Sequence, residues 1–217
     1  MSKTRTAAVF AGAALIAAYA IIQYGFYDPK LAGLVQYKLE SPDFHVTPWV
    51  YFLYAHIITG CAALLIGPFQ IFRKQRSPSS RNRHRAFGLI YVACILVSGL
   101  VNIYLSLFAS GGWFARTGFF AMDLFWLYAT CVAVAKAARK EIPAHRAWML
   151  RSYAVTFAAV TLRLYQVPLM LLWSFEPAYK ISAWACWLGN LLVVELTLRK
   201  RAKASELRTA AIGGVES

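Results

Sequence analysis

Two echoing stretches hold most of the residues that could do chemistry. RNRHRAFGLIYVACILVSGLVNIYL and EIPAHRAWMLRSYAVTFAAVTLRLYQ each open on a basic stretch with the triplet His-Arg-Ala, His84-Arg85-Ala86 and His145-Arg146-Ala147, then turn apolar. Superimposed, His84 falls on His145, Tyr91 on Ser152, Ile95 on Thr156, Ser98 on Ala159 and Asn102 on Arg163. Those intervals are sums of three and four, the spacing of one helix face. Each echo thus predicts a helix with a histidine at one end and a polar residue deep inside. Two neutral imidazoles at matched depth on facing helices can ligate one haem iron from both sides, so His84 and His145 are candidate metal ligands. A His-Arg pair at a helix start is equally an interfacial anchor, and that reading stands beside the first. Zinc would want a third or fourth ligand, and no cysteine or carboxylate is close in sequence.

A second polar layer lies 18 residues further along, from His84 to Asn102, roughly 27 Å at 1.5 Å per residue. It contains His56, Asn102, Asp123, Arg163 and Gln166, with Met122 beside Asp123. A charge inside a bilayer costs at least ~2.5 kcal/mol, so such residues are usually paired and usually functional. Asp123 and Arg163 sit at similar depth and are expected to pair or share a network. The pair could simply fix how two helices pack. It could also form a site for a quinone carbonyl or a carboxylate, or a proton relay through His56. On the face of His56 follow Gly60, Ala63 and Gly67. Small residues there suit close helix packing, or clearance for a flat cofactor under the imidazole.

The elements that must position these residues are membrane spans. Of 217 residues, 59% are hydrophobic and the mean hydropathy is +0.51. Six apolar blocks, near 7–25, 49–72, 86–109, 117–138, 147–173 and 182–198, approach or exceed the roughly 20 residues a spanning helix needs. The first could pass for a secretory signal, but it is long enough to span and the charge count works with it retained. The predicted fold is all-α: a single transmembrane domain of six helices. Segments 2–5 (49–173) form a four-helix core of two repeated hairpins, with segments 1 and 6 peripheral and 199–217 a tail.

The net charge of +14 is an orientation signal rather than a nucleic-acid footprint. Seventeen of the 23 Lys and Arg fall in the N-terminal stretch, around the second and fourth turns, and in the tail; Arg73, Lys74, Arg76, Arg81, Arg83 and Arg85 form one such group. The opposite loops mix Lys30, Lys38, Arg116 and Lys180 with Asp28, Glu40, Asp43 and Glu176. This positive-inside pattern predicts cytoplasmic termini, with anionic lipid a partner of that face and no nucleic acid. Cys61, Cys94, Cys131 and Cys186 all lie in apolar segments and give neither a disulfide framework nor CxxC. Thr47 and Pro48 read as a helix start, 73–85 as a polar loop, Ser110-Gly111-Gly112 as a tight turn, and Pro168 as a kink. Glycine-rich phosphate loops and nucleophile motifs do not occur.

AHIITGCAALLIGPFQ, RNRHRAFGLIYV and AHRAWMLRSYAVTFAAVTLRLY resemble a bacterial membrane family known only as a domain of unknown function, number 2306 in its series. The shared features are H-x3-G, a G-P-x-Q helix end, HR-x-x-G, and HR-x-W-M-x-R followed by T-L-R. The resemblance implies a bacterial inner membrane and no particular activity. The chain is also similar, in architecture only, to two-haem transmembrane cytochromes b. That resemblance implies haem b between His84 and His145, and an outer haem from His56 only if Met122 replaces the missing histidine of the fourth segment.

Three functions follow as expectations. The first is redox work with haem b or a quinone, with Arg163 and His56 at the outer site. The second is transport of a small polar solute past Asn102, Asp123 and Arg163. The third is a non-catalytic accessory subunit in a homo- or hetero-oligomer. Enzymatic activity is neither implied nor excluded by these motifs.

Overall fold

The computed structural model describes residues 3–39, 44–72 and 77–213. Arg73, Lys74 and Arg76 of the basic loop, and Glu40 and Asp43 of the opposite one, lie outside the described residues. Six helices are long and apolar enough to cross a membrane, and no strand occurs among the described residues.

The helices are α1 (Lys3–Ile21), the short α2 (Gly33–Leu39), α3 (Val46–Phe72), α4 (Pro78–Leu107), α5 (Gly112–Ala138), α6 (Ile142–Thr156), α7 (Ala158–Leu172) and α8 (Phe175–Gly213). The hairpins α3–α4 and α5–α6 pack together, with α4 against α5 and α3 against α6, so these four helices ring one core. That core is a cluster of Ala63, Tyr91, Ile95, Trp126, Tyr153 and Val155. Outside it, α1 lies on α3 and α7, and α8 lies on α5, α6 and α7. The alanine-rich sequence of α1 explains its place. Ala13 packs with Leu64 and Val160, while Leu15 and Ile21 face outward. Small side chains let helices approach closely where lipid offers no hydrophobic drive to do so.

Several boundaries differ from the sequence reading for local reasons. The stretch after Ser77 is helix, not loop. Ser77 Oγ accepts the Ser80 amide at 3.2 Å and Pro78 occupies the first turn, so Arg81, Arg83, His84 and Arg85 ride on α4. The fifth span is interrupted at Phe157, whereas Pro168 lies inside α7, which runs on to Leu172. Threonines on both sides bond back to carbonyls four residues earlier, Thr156 to Ser152 at 3.1 Å and Thr161 to Phe157 at 3.4 Å; such bonds compete with the regular ladder and bend helices. The predicted tail continues α8 as far as Gly213, since no proline intervenes after Pro177. Gly111 and Gly112 turn the chain between α4 and α5 at φ 86° and 68°, a left-handed region open to glycine. Thr47 has extended backbone, so the continuous part of α3 begins at Pro48.

Candidate functional site

A cavity of about 220 Å³ opens within the bundle. Its walls are largely apolar, from Leu53, Leu64, Leu105, Phe119 and Val155; among its polar members are the hydroxyl residues Tyr24, Ser106, Thr156 and Tyr179, with His56, Asn102 and Arg163 midway and Lys38 and Trp49 at the end under α2. A roughly 150 Å³ apolar cavity holds benzene, so this one has room for a single substituted ring.

Each polar group arrives from a different helix. His56 of α3 meets Ser98 of α4, Nδ1 to Oγ at 2.9 Å; Nε2 has no hydrogen bond among the described residues. Asn102, one turn further along α4, donates from Nδ2 to both oxygens of Asp123 at 2.9 and 3.0 Å. Asp123 is fully buried and stands behind Asn102 rather than in the wall. Arg163 of α7 donates from Nη1 to the Ala159 carbonyl at 3.0 Å, and its guanidinium lies 5.8 Å from the Tyr19 ring centre. Met122 lines the cavity where three apolar clusters meet. Gln166, three residues beyond Arg163, is not part of the wall.

The expected Asp123–Arg163 pair does not form, and no ion pair joins them among the described residues. The reason is facing. Asp123 points from α5 to α4, whereas Arg163 sits across the cavity on the side of α1.

Between this layer and the basic end runs a hydroxyl network that the sequence reading marked only in part. Tyr91 Oη lies 3.2 Å from Ser152 Oγ and 3.1 Å from Thr156 Oγ1. Trp126 Nε1 donates to Thr156 Oγ1 at 3.0 Å, and Thr130 Oγ1 reaches Ser152 Oγ at 2.8 Å. The superposition of Tyr91 on Ser152 was the available signal, since equivalent positions of two facing repeats meet across their interface. Of the small residues on α3, Gly60 lines the cavity with His56, whereas Gly67 serves packing. A Cβ at Gly67 would run into the Tyr153 ring.

At the basic end, His84 lines a groove of about 340 Å³ between α3 and α4 with Gln70, Ser80 and Arg83; His145 does not line it. His145 Nδ1 lies 2.8 Å from the Ala133 carbonyl, which leaves its Nε2 as the free nitrogen. No group of three His, Cys, Asp or Glu converges on a metal position among the described residues. Arg151 binds Glu195 with two bonds, 2.5 and 3.0 Å, and tethers α6 to α8. All four cysteines are free.

Lys38 and Trp49 belong to the site and were not anticipated. α2 folds over the cavity mouth through Val35 and the preceding Ala32, which pack with Trp49, Leu53 and Leu105. This buries Lys38, whose Nζ donates to the Phe108 carbonyl and lies 5.3 Å from the Trp49 ring centre. Burial first, and then the charge of Arg116, lower Lys38 to about 8.

A family model now decides the relationship, because it matches residues 53–198, from within α3 to within α8. The chain belongs to the family of predicted membrane proteins called domain of unknown function 2306. The match covers both echoes, the cavity midsection and the hydroxyl network. No curated protein and no solved structure matches this chain, so the membership brings a membrane setting and no activity.

Proposed function

We propose that the protein binds the head group of a lipid-soluble quinone in the cavity and serves membrane redox chemistry through it. The observation that carries this reading is the lining: apolar walls around a ring-sized space, headed by nitrogen donors from His56 and Arg163. Ligand sites combine apolar walls with a few convergent polar groups in this way, and donors select a ligand that presents acceptor oxygens. If the Ser98 hydroxyl donates to His56 Nδ1, the ring proton sits on Nε2, where it can bond a carbonyl. Arg163 has further N–H groups beyond the one given to Ala159. The basic helix ends support cytoplasmic termini in a bacterial inner membrane, with anionic lipid at that face.

The test is equilibrium binding of decylubiquinone to protein in nanodiscs. Saturable binding that drops at least tenfold in Arg163→Gln supports the reading; partitioning equal to that of empty nanodiscs ends it. The haem alternative keeps one favourable feature, the free Nε2 of His145. It is settled by a reduced-minus-oxidised spectrum, where a Soret band lost in His145→Ala would restore it. Transport draws on the helix interruption at Phe157 beside the cavity, and solute uptake into liposomes that persists in Arg163→Leu would remove it.

A further inference from the structure

The groove at the basic end has a charged half and an apolar half. It lies between α3 and α4, with a volume of about 340 Å³. Ser80, Arg83, His84 and Phe87 line it from α4, at intervals of three and four that make one helix face. Leu65 and Phe69 line it from α3. The charged and hydroxyl residues stand nearest the start of α4, and Phe87 follows toward the middle of the span. The groove thus grades from charged to apolar along about two helical turns. Its apolar side chains are open to the surroundings: Phe69 is 57% exposed, Phe87 48% and Leu65 38%. Arg83 is exposed as well, and His84 is half-buried.

Charge selects the ligand for one half and hydropathy for the other. Neither Arg83 nor His84 forms an ion pair, and no carboxylate lines the groove, among the described residues. Glu141 and Glu195, two carboxylates at that end of the bundle, are held by Lys136 and Arg151. The charge left over suits an anion, and a guanidinium fork suits phosphate oxygens. The apolar half suits an anion that carries a chain. Basic pockets between spanning helices recognise anionic lipid head groups in this way. We infer that this groove binds one anionic phospholipid, with its phosphate at Ser80, Arg83 and His84 and an acyl chain along Phe87, Phe69 and Leu65. A zwitterionic ethanolamine lipid finds no acid there for its ammonium. The inference turns the general contact of basic helix ends with anionic lipid into a single site, and it is independent of what the central cavity holds.

The experiment is native mass spectrometry of the protein in detergent, titrated with phosphatidylglycerol, with phosphatidylethanolamine of the same chains, or with inorganic phosphate. Wild type is expected to take up one phosphatidylglycerol in preference to phosphatidylethanolamine. Arg83→Gln is expected to weaken that binding about fivefold, the share of one cation. Arg81→Gln removes the same charge from an exposed position of α4 outside the groove, and is expected to leave it unchanged. Leu65→Trp keeps every charge but fills the apolar half, and is expected to weaken binding too. All three positions are exposed, so melting midpoints in lipid-free detergent should match wild type. Equal losses in Arg81→Gln and Arg83→Gln overturn the site and leave only the general contact with anionic lipid. Equal uptake of the two lipids overturns it, as does full binding in Leu65→Trp. Inorganic phosphate that binds as tightly as phosphatidylglycerol also overturns it, because the chain would then contribute nothing.

Discussion

Asn102 and Asp123 form a closed pair across α4 and α5, with one side-chain amide nitrogen within 2.9 and 3.0 Å of both carboxylate oxygens. Asp123 is fully buried, and no cation pairs with it among the described residues. The amide is thus the polar partner that makes the burial tolerable. Asn102→Ala is expected to destabilise the protein by about 2 kcal/mol, the cost of stranding a buried polar group. Asp123→Asn is expected to cost less, because it removes the group that needs solvation. Thermal unfolding in detergent checks both; equal midpoints for Asn102→Ala and wild type would disprove the pairing.

Tyr91 joins the two echoes. Its hydroxyl meets Ser152 and Thr156 where water cannot reach. Tyr91→Phe leaves both partners short of one bond and is expected to cost about 1–2 kcal/mol. A double-mutant cycle of Tyr91→Phe with Ser152→Ala should show coupling, since the two share one network. Additive effects would mean that the hydroxyls act separately.

Gly67 gives α3 and α6 their close approach. The Tyr153 ring lies over it, and the Tyr153 hydroxyl reaches the Leu64 carbonyl at 3.2 Å. Gly67→Ala is expected to cost about 1–3 kcal/mol through overpacking, with part of that recovered in Gly67→Ala/Tyr153→Leu. Size-exclusion profiles and melting midpoints of the single and double variants report it. A silent Gly67→Ala would show that the two helices can separate freely there.

Lys38 makes stability depend on pH. Its ordinary value is 10.5, and burial with the Arg116 charge lowers it to about 8 in the folded protein. Between those values the unfolded chain holds a proton that the folded chain has lost, so stability rises with pH across that window. The gain is on the order of a few kcal/mol. Lys38→Met should flatten the rise in melting midpoint between about pH 8 and 10. A variant that keeps the wild-type slope would exclude Lys38 as its source.

Spans, echoes and charge pattern were legible because each depends on local composition. A bilayer demands long apolar runs, and a helix face repeats every three to four residues whatever surrounds it. The echo even marked Tyr91 and Ser152 as equivalent before they were seen to touch. The helical start at Pro78 is also written locally, in Ser77-Pro78, although the basic residues that follow carry the composition of a loop.

Which polar groups meet was settled by tertiary structure. Asp123 and Arg163 share a depth, but depth along an axis says nothing of rotation about it, and the two are turned to different neighbours. The mouth of the cavity depended on α2 folding back over α3 and α4, a contact between residues far apart in the chain. Nothing local to Lys38 or Trp49 announces it. The sequence by itself determined a six-span helical membrane protein with two histidine-headed repeats; helix rotation and loop packing, which are decided by contacts between distant segments, determined which of its polar residues face a common cavity.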